Sequence, residues 1–321
     1  MIDEVKLDLK DKKILFELDK NSRQSNSEIA KKVGLNKNTV NYKINRMTQE
    51  GVIKGYYSVI DSSKLGYFSI RIYLKFFNTK LEDEKKMIEW LNSQKIVGVL
   101  AKIETIYDLV LMCWVKNIYE FEDFLQEFKK KFRKHFWQEK VHIFSKVLHF
   151  KRKYLLSQKK EYDEEPETIG GKEISDFDEL DLKILRLLAK NARMPLIDIS
   201  SKLKTPERTI AFRIKQLEKK KIIQGYRINL ELQKIGFEYY KLNFILNDFS
   251  KYEELESFCK IHENVIYIDK TLEELDFEID VEIKNKQELL KLISEIKEKF
   301  SVRSVDILEL KEYIKLESIP Q

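Results

Sequence analysis

Two short stretches of the chain carry polar side chains at a spacing suited to reading the edge of a base pair. Asn38, Thr39, Asn41, Tyr42, Asn45 and Arg46 lie on one side of a helix-period segment whose other side is Val40, Ile44 and Met47. At an offset of 170 residues the construction recurs, with Arg208, Thr209, Phe212, Lys215, Gln216 and Lys219 outside and Ile210, Ile214 and Leu217 inside. Amides, hydroxyls and cationic heads on such a face pair with base edges and phosphates. Other chemistries find less material. The four histidines, His135, His142, His149 and His262, have no metal-ligand spacing, and there is no glycine-rich phosphate loop or nucleophile constellation. The expectation is therefore binding rather than catalysis, with no catalytic residue, metal or cofactor.

The elements that must position these faces follow from an internal repeat. Asp11, Ile14, Leu15, Leu18, Asn21 and Arg23 recur as Asp181, Ile184, Leu185, Leu188, Asn191 and Arg193, and Gly55-Tyr56 recurs as Gly225-Tyr226. Each copy opens with three short helices, in copy one about Asp11–Asp19, Ser27–Val33 and Lys37–Gln49. Ser27 and Asn36 are expected N-caps, and in copy two Thr205 caps with Pro206 at the first helical position. An extended piece follows (Val52–Ile60; Ile222–Leu230). The rest of each copy reads strand, helix, strand, strand, helix, strand, the order of a ferredoxin-like unit. Between the copies, residues 157–176 lack apolar periodicity and hold a proline and a Gly-Gly pair, which predicts a flexible linker. The fold class is α+β. The domains are 1–66 and 177–236 (winged helix-turn-helix), 67–156 and 237–321 (ferredoxin-like), and linker 157–176.

Charge is divided unevenly over these segments. The helical modules carry net +4 and +7, the linker −4, the first ferredoxin-like module +7 and the second −8. Excess positive charge on both helical modules suits a phosphate backbone and predicts salt-sensitive binding. Cys113 and Cys259, far apart in apolar runs, exclude a disulfide framework, and the N-terminus MIDEVKLDLK is too charged for a signal peptide, so a cytoplasmic chain is expected.

The stretches DLKDKKILFELDKNSRQSNSEIAKKVGLNKNTVNYKINRMTQEGVIKGY and DELDLKILRLLAKNARMPLIDISSKLKTPERTIAFRIKQLEKKKIIQGY resemble the Lrp/AsnC (feast/famine) transcription regulators. The asparagine-x-arginine after the first helix and the Ile-x-Gly-Tyr ending carry the resemblance, which covers about 140 residues of each copy. It implies sequence-specific binding of double-stranded DNA, ferredoxin-like modules of the RAM type, and a possible amino-acid effector recognised near Asp108 and Asp276. The chain departs from the family pattern in having Tyr42 and Phe212 where a basic residue is usual. It has Thr105 and Glu273 where the effector motif has glycine.

The family pairs RAM sheets face to face. Strand Phe277–Ile283 presents Glu278, Asp280 and Glu282 on one side, so two such faces would repel each other. Pairing of the acidic module with the basic one, within the chain or in a homo-oligomer, is the expectation, and the fused copies would then form a pseudo-dimer. Two other functions stay open. A sirohaem decarboxylase of fused Lrp-like type is one, although VGVLAKIE and NVIYIDKT, the strands that would carry its histidine and arginine, have neither. A low-specificity architectural DNA-binding protein is the other.

Overall fold

The computed structural model describes residues 4–156 and 165–320. Helix α1 (Leu9–Lys20) starts on Asp8, whose carboxylate accepts from the Asp11 amide while Asp11 returns the bond to the Asp8 amide. This reciprocal cap satisfies two of the helix's free donors. Helix α2 (Asn26–Val33) is capped in the same way by Ser25 and Glu28, not by Ser27, because the chain turns two residues earlier than expected. Gly34, at φ +66, ends it. Asn36 caps α3 (Lys37–Gln49), and β1 (Ile53–Ile60) follows. Then come β2 (Phe68–Phe76), α4 (Leu81–Ser93), β3 (Val97–Thr105), β4 (Leu109–Val115), α5 (Ile118–Phe132) and β5 (Phe136–His149).

A short strand β6 (Glu167–Ile169) precedes the second copy: α6 (Glu179–Lys190), α7 (Leu196–Leu203), α8 (Glu207–Lys219), β7 (Ile223–Leu230), β8 (Glu238–Leu246), α9 (Tyr252–Ile261), β9 (Val265–Leu272), β10 (Phe277–Ile283), α10 (Lys286–Phe300) and β11 (Val302–Leu316). Thr205 does not cap α8. Its hydroxyl donates to the Leu203 carbonyl at 3.1 Å, and Pro206 stands at the cap with Glu207 as the first helical residue.

The linker differs from the expected coil. Residues 157–164 lie outside the described residues, but 165–176 run docked on the first copy. β6 pairs with β5, Gly170 N donates to Asp61 Oδ1 (3.0 Å), and Ser175 N donates to the Lys64 carbonyl (2.9 Å). At φ +114, Gly170 brings its backbone so close to β5 that an added Cβ would lie 2.5 Å from the Ser145 oxygen. Glycine is needed there for approach as well as for conformation.

The two copies interlock at two levels. β1 and β7 form a two-stranded antiparallel sheet, Tyr57 opposite Arg227. Ile53, at the start of β1, packs in the first helical core, whereas Ile60, at its end, packs among α6, α7 and α8. Ile228 and Leu230 of β7 make the reciprocal crossing into the first core. Below, eight strands run in the order β2-β4-β3-β11-β8-β10-β9-β5, and β5 pairs back on β2, so the ring closes. Closure removes exposed strand edges. Every residue of β10 is buried, since one face packs under α9 and α10 and the other, with Glu278, Asp280 and Glu282, meets Arg71, Lys241 and Arg152.

Candidate nucleic-acid interface

Each helix-turn-helix is built by burying one stripe. Val40, Ile44 and Met47 of α3 enter the core with Ile14, Leu15 and Leu18, as do Ile210, Ile214 and Leu217 with Ile184, Leu185 and Leu188. Each fully buried aliphatic side chain contributes about 1.5–3 kcal/mol of transfer free energy, which is what fixes the outward face. On α3 that face is Asn38, Tyr42 and Asn45, with Tyr42 67% exposed. On α8 it is Arg208, Phe212, Lys215 and Lys219, with Phe212 57% exposed. Arg208, Lys215 and Lys219 form no ion pair with the described residues, so all three cations are free to meet phosphate. The same positions are therefore neutral in one copy and basic in the other.

The remaining expected residues are tied back into the protein. Thr39 and Thr209 are half-buried at the helix starts, Thr39 donating to Asn36 Oδ1 at 3.0 Å. Asn41 accepts from the Asn26 amide. Arg46 donates to buried Asp11 at 2.7 Å, and Lys43 reaches Asp11 at 2.9 Å and Asp8 at 2.6 Å. Lys43 chiefly, through its hydrogen bond, holds Asp8 down at about 2. In copy two Arg213 takes the Lys43 place against Asp178 (2.8 Å), and Gln216, half-buried, stands where Arg46 does. Lys43, Arg46 and Arg213 thus clamp each recognition helix to the first helix of its own module.

Sequence reasoning did not foresee a reciprocal bridge between the modules. Arg23 Nη1 donates to the Ala192 carbonyl (2.5 Å), and its guanidinium lies over the Tyr226 ring at 5.4 Å. Arg193 Nη1 donates to the Ser22 carbonyl (2.8 Å) and lies over Tyr56 at 5.2 Å. Asn21 and Asn191 preset each arginine by accepting from its backbone N–H at 2.9 and 3.0 Å. The signal was visible as the asparagine-x-arginine and Gly-Tyr repeats, but nothing in sequence says that each arginine serves the other copy's tyrosine.

Two buried ionic clusters join the halves. Asp19 accepts from Arg152 (2.6 Å) and Arg227 (3.0 Å), Arg152 also binds Glu282 (2.8 Å), and Arg227 binds Glu167 (2.8 Å). Burial opposes ionisation of Asp19, yet Arg227 and Arg152 beside it hold its carboxyl below the usual range. Inside the strand ring, Arg71 of β2 meets Glu278 (2.7 Å) and Asp269 (2.5 Å), and Lys241 meets Asp269 (2.6 Å) and Asp280 (2.7 Å). A cavity of about 120 Å³ lies beside this cluster, walled by Tyr73, Ala101, Met112, Tyr239 and Tyr313. Asp108 and Asp276 sit apart from it in matching roles. Asp108 accepts from Phe76 N (2.7 Å) and Lys75 (2.9 Å), and Asp276 accepts from Leu246 N (2.7 Å). Each pins a hairpin to the end of the neighbouring strand.

A pair of three-helix modules, each presenting a solvent-facing third helix, defines a DNA-binding class of protein. A family model described as winged helix-turn-helix DNA-binding matches residues 7–54 and 177–224. An uncharacterized HTH-type transcriptional regulator of Pyrococcus furiosus is 32% identical over 138 residues, 41% of this chain and 81% of the relative. Another from Pyrococcus horikoshii is 30% identical over 123 residues, 38% of this chain and 77% of the relative. The chain belongs to the Lrp/AsnC family of helix-turn-helix transcription regulators, in a tandem-duplicated form. Over its whole length the fold is similar to that of the sirohaem decarboxylase NirDL, with a TM-score of 0.63, 97% of this chain and 94% of that one covered, and 14% identity. No described helix is long and apolar enough to cross a membrane.

Proposed function

We propose that the chain is a sequence-specific transcription regulator that binds DNA as a single-chain pseudo-dimer and reads two unlike half-sites. The modules 1–66 and 177–236 supply the two readers. The ferredoxin-like modules 67–156 and 237–321 hold them together through their facing sheets. One observation carries the reading: the reciprocal Arg23–Tyr226 and Arg193–Tyr56 bridge relates two recognition helices whose exposed faces differ in charge. Asn38, Tyr42 and Asn45 read one half-site with neutral groups. Arg208, Phe212, Lys215 and Lys219 take the other with three cations. If the helices engage successive major grooves, the half-sites lie about 34 Å or a multiple apart.

Sirohaem chemistry is the weaker reading. β3 and β9 contain neither histidine nor arginine. The carboxylates of Asp108 and Asp276 are taken up by backbone and lysine partners, so effector recognition is not assigned to them. Selection of bound sequences from a random duplex pool, followed by affinities for the winner and a scrambled duplex at two salt concentrations, tests the proposal. A two-part asymmetric motif with a large specificity ratio is expected. Binding without enrichment would instead support an architectural role. No binding, together with a Soret band on adding sirohaem, would overturn the regulator reading.

A further inference from the structure

We propose that His142, Glu273 and Glu278 form a site for a first-row divalent metal ion that bridges the two ferredoxin-like modules. The site lies inside the strand ring and does not depend on the DNA-binding reading. His142 stands on β5 of the first copy, and both glutamates come from the β9–β10 hairpin of the second. One ligand atom from each of the three lies within 4.8 Å of the others.

His142 is 1% exposed, with Nδ1 2.5 Å from Glu273 Oε1 and 3.6 Å from Glu278 Oε1, while its buried Nε2 has no hydrogen-bond partner among the described residues. A buried imidazole nitrogen aimed at two carboxylates is an arrangement that a shared cation resolves. The charge of the surroundings points the same way. Asp269, Glu278 and Asp280 pair with two permanent cations, Arg71 and Lys241, and Glu273 adds a further carboxylate beside His142. A dication balances that set.

The ligands are also held from behind. The Thr271 hydroxyl donates to Glu278 Oε1 at 2.5 Å and lies 3.3 Å from Glu273 Oε1, the kind of outer contact that orients metal ligands. One imidazole with two carboxylates suits zinc, manganese or iron(II) rather than an all-oxygen calcium site.

The test uses the full chain stripped with a chelator and titrated calorimetrically with Zn²⁺ alone, with thermal melting in parallel. One Zn²⁺ per chain and a raised Tm are expected. Glu273→Gln, isosteric and outside the Arg71–Lys241 pairs, should weaken Zn²⁺ at least about tenfold. His142→Phe should abolish the one-to-one binding, and Co²⁺ in the wild type should give visible bands of a nitrogen- and oxygen-ligated ion. Absence of stoichiometric binding would overturn the site, and so would an affinity unchanged in Glu273→Gln. That second result stands even if His142→Phe fails to fold.

Discussion

At the scale of single residues, the recognition helices divide their polar side chains between DNA and the protein itself. Lys215 and Lys219 form no ion pair among the described residues, so Lys215→Ala or Lys219→Ala should weaken binding to all sequences alike. Each should also reduce the slope of log affinity against log salt by about 1. Asn45→Ala should instead relax base preference in one half-site, with discrimination falling by roughly 1–3 kcal/mol in competition against single-base variants. Arg46→Ala should act mainly on stability, because Arg46 serves buried Asp11. About 1–2 kcal/mol lost in urea unfolding, with DNA affinity little changed, is the expected outcome. A titratable group adds a pH dependence. Burial, with Arg227, Arg152 and Lys151 nearby, keeps His149 neutral in the fold, its pKa well below 6.5. The unfolded chain protonates that imidazole near pH 6.5 and so binds more protons there. Stability should fall as pH drops below 6.5, by roughly 1.4 kcal/mol per unit, until the depressed folded value is reached. Denaturant midpoints of His149→Phe between pH 6.5 and 5 should show that slope flattened.

At the scale of elements, the periodicities of α3 and α8 were readable because each buries a regular stripe against its own module, a local event. For the acids of β10 the sequence suggested a basic partner module but could not name the partners, since Arg71, Lys241 and Arg152 come from elements 39 to 207 residues away. The Gly-Gly pair of residues 170–171 was equally ambiguous, since a glycine chosen for close approach looks the same in sequence as one chosen for freedom. Close approach recurs at Gly98 on β3, where an added Cβ would lie 1.9 Å from the Trp114 ring of β4. Gly98→Ala should cost about 1–3 kcal/mol by forcing that indole aside, measurable by unfolding together with a changed Trp fluorescence.

At the scale of the molecule, the duplication was legible at once, and so were the fold class and the two helix-turn-helix modules. The manner of joining was not, since strand exchange between β1 and β7 and closure of the ring leave no periodic mark. The asymmetry of the two readers leads to a test on the whole chain. Replacing Asn38, Tyr42 and Asn45 by the residues at Arg208, Phe212 and Lys215 should make the halves alike. Selection should then shift from an asymmetric site to a palindrome, whereas an unchanged site would show that the exposed faces do not set specificity.

The crossing of β1 into the second helical core also bears on how the chain is made. Ile60 finds its packing partners only after α6, α7 and α8 exist, and β3 and β5 await β11 and β9. At roughly 5–20 residues per second, a ribosome that has finished the first copy needs about 10–30 s to deliver the second. During that interval the nascent half has uncovered apolar surface and unpaired strand edges, the features that recruit chaperones or seed aggregates. Premature termination between the copies should therefore yield an insoluble fragment instead of a half-sized DNA binder.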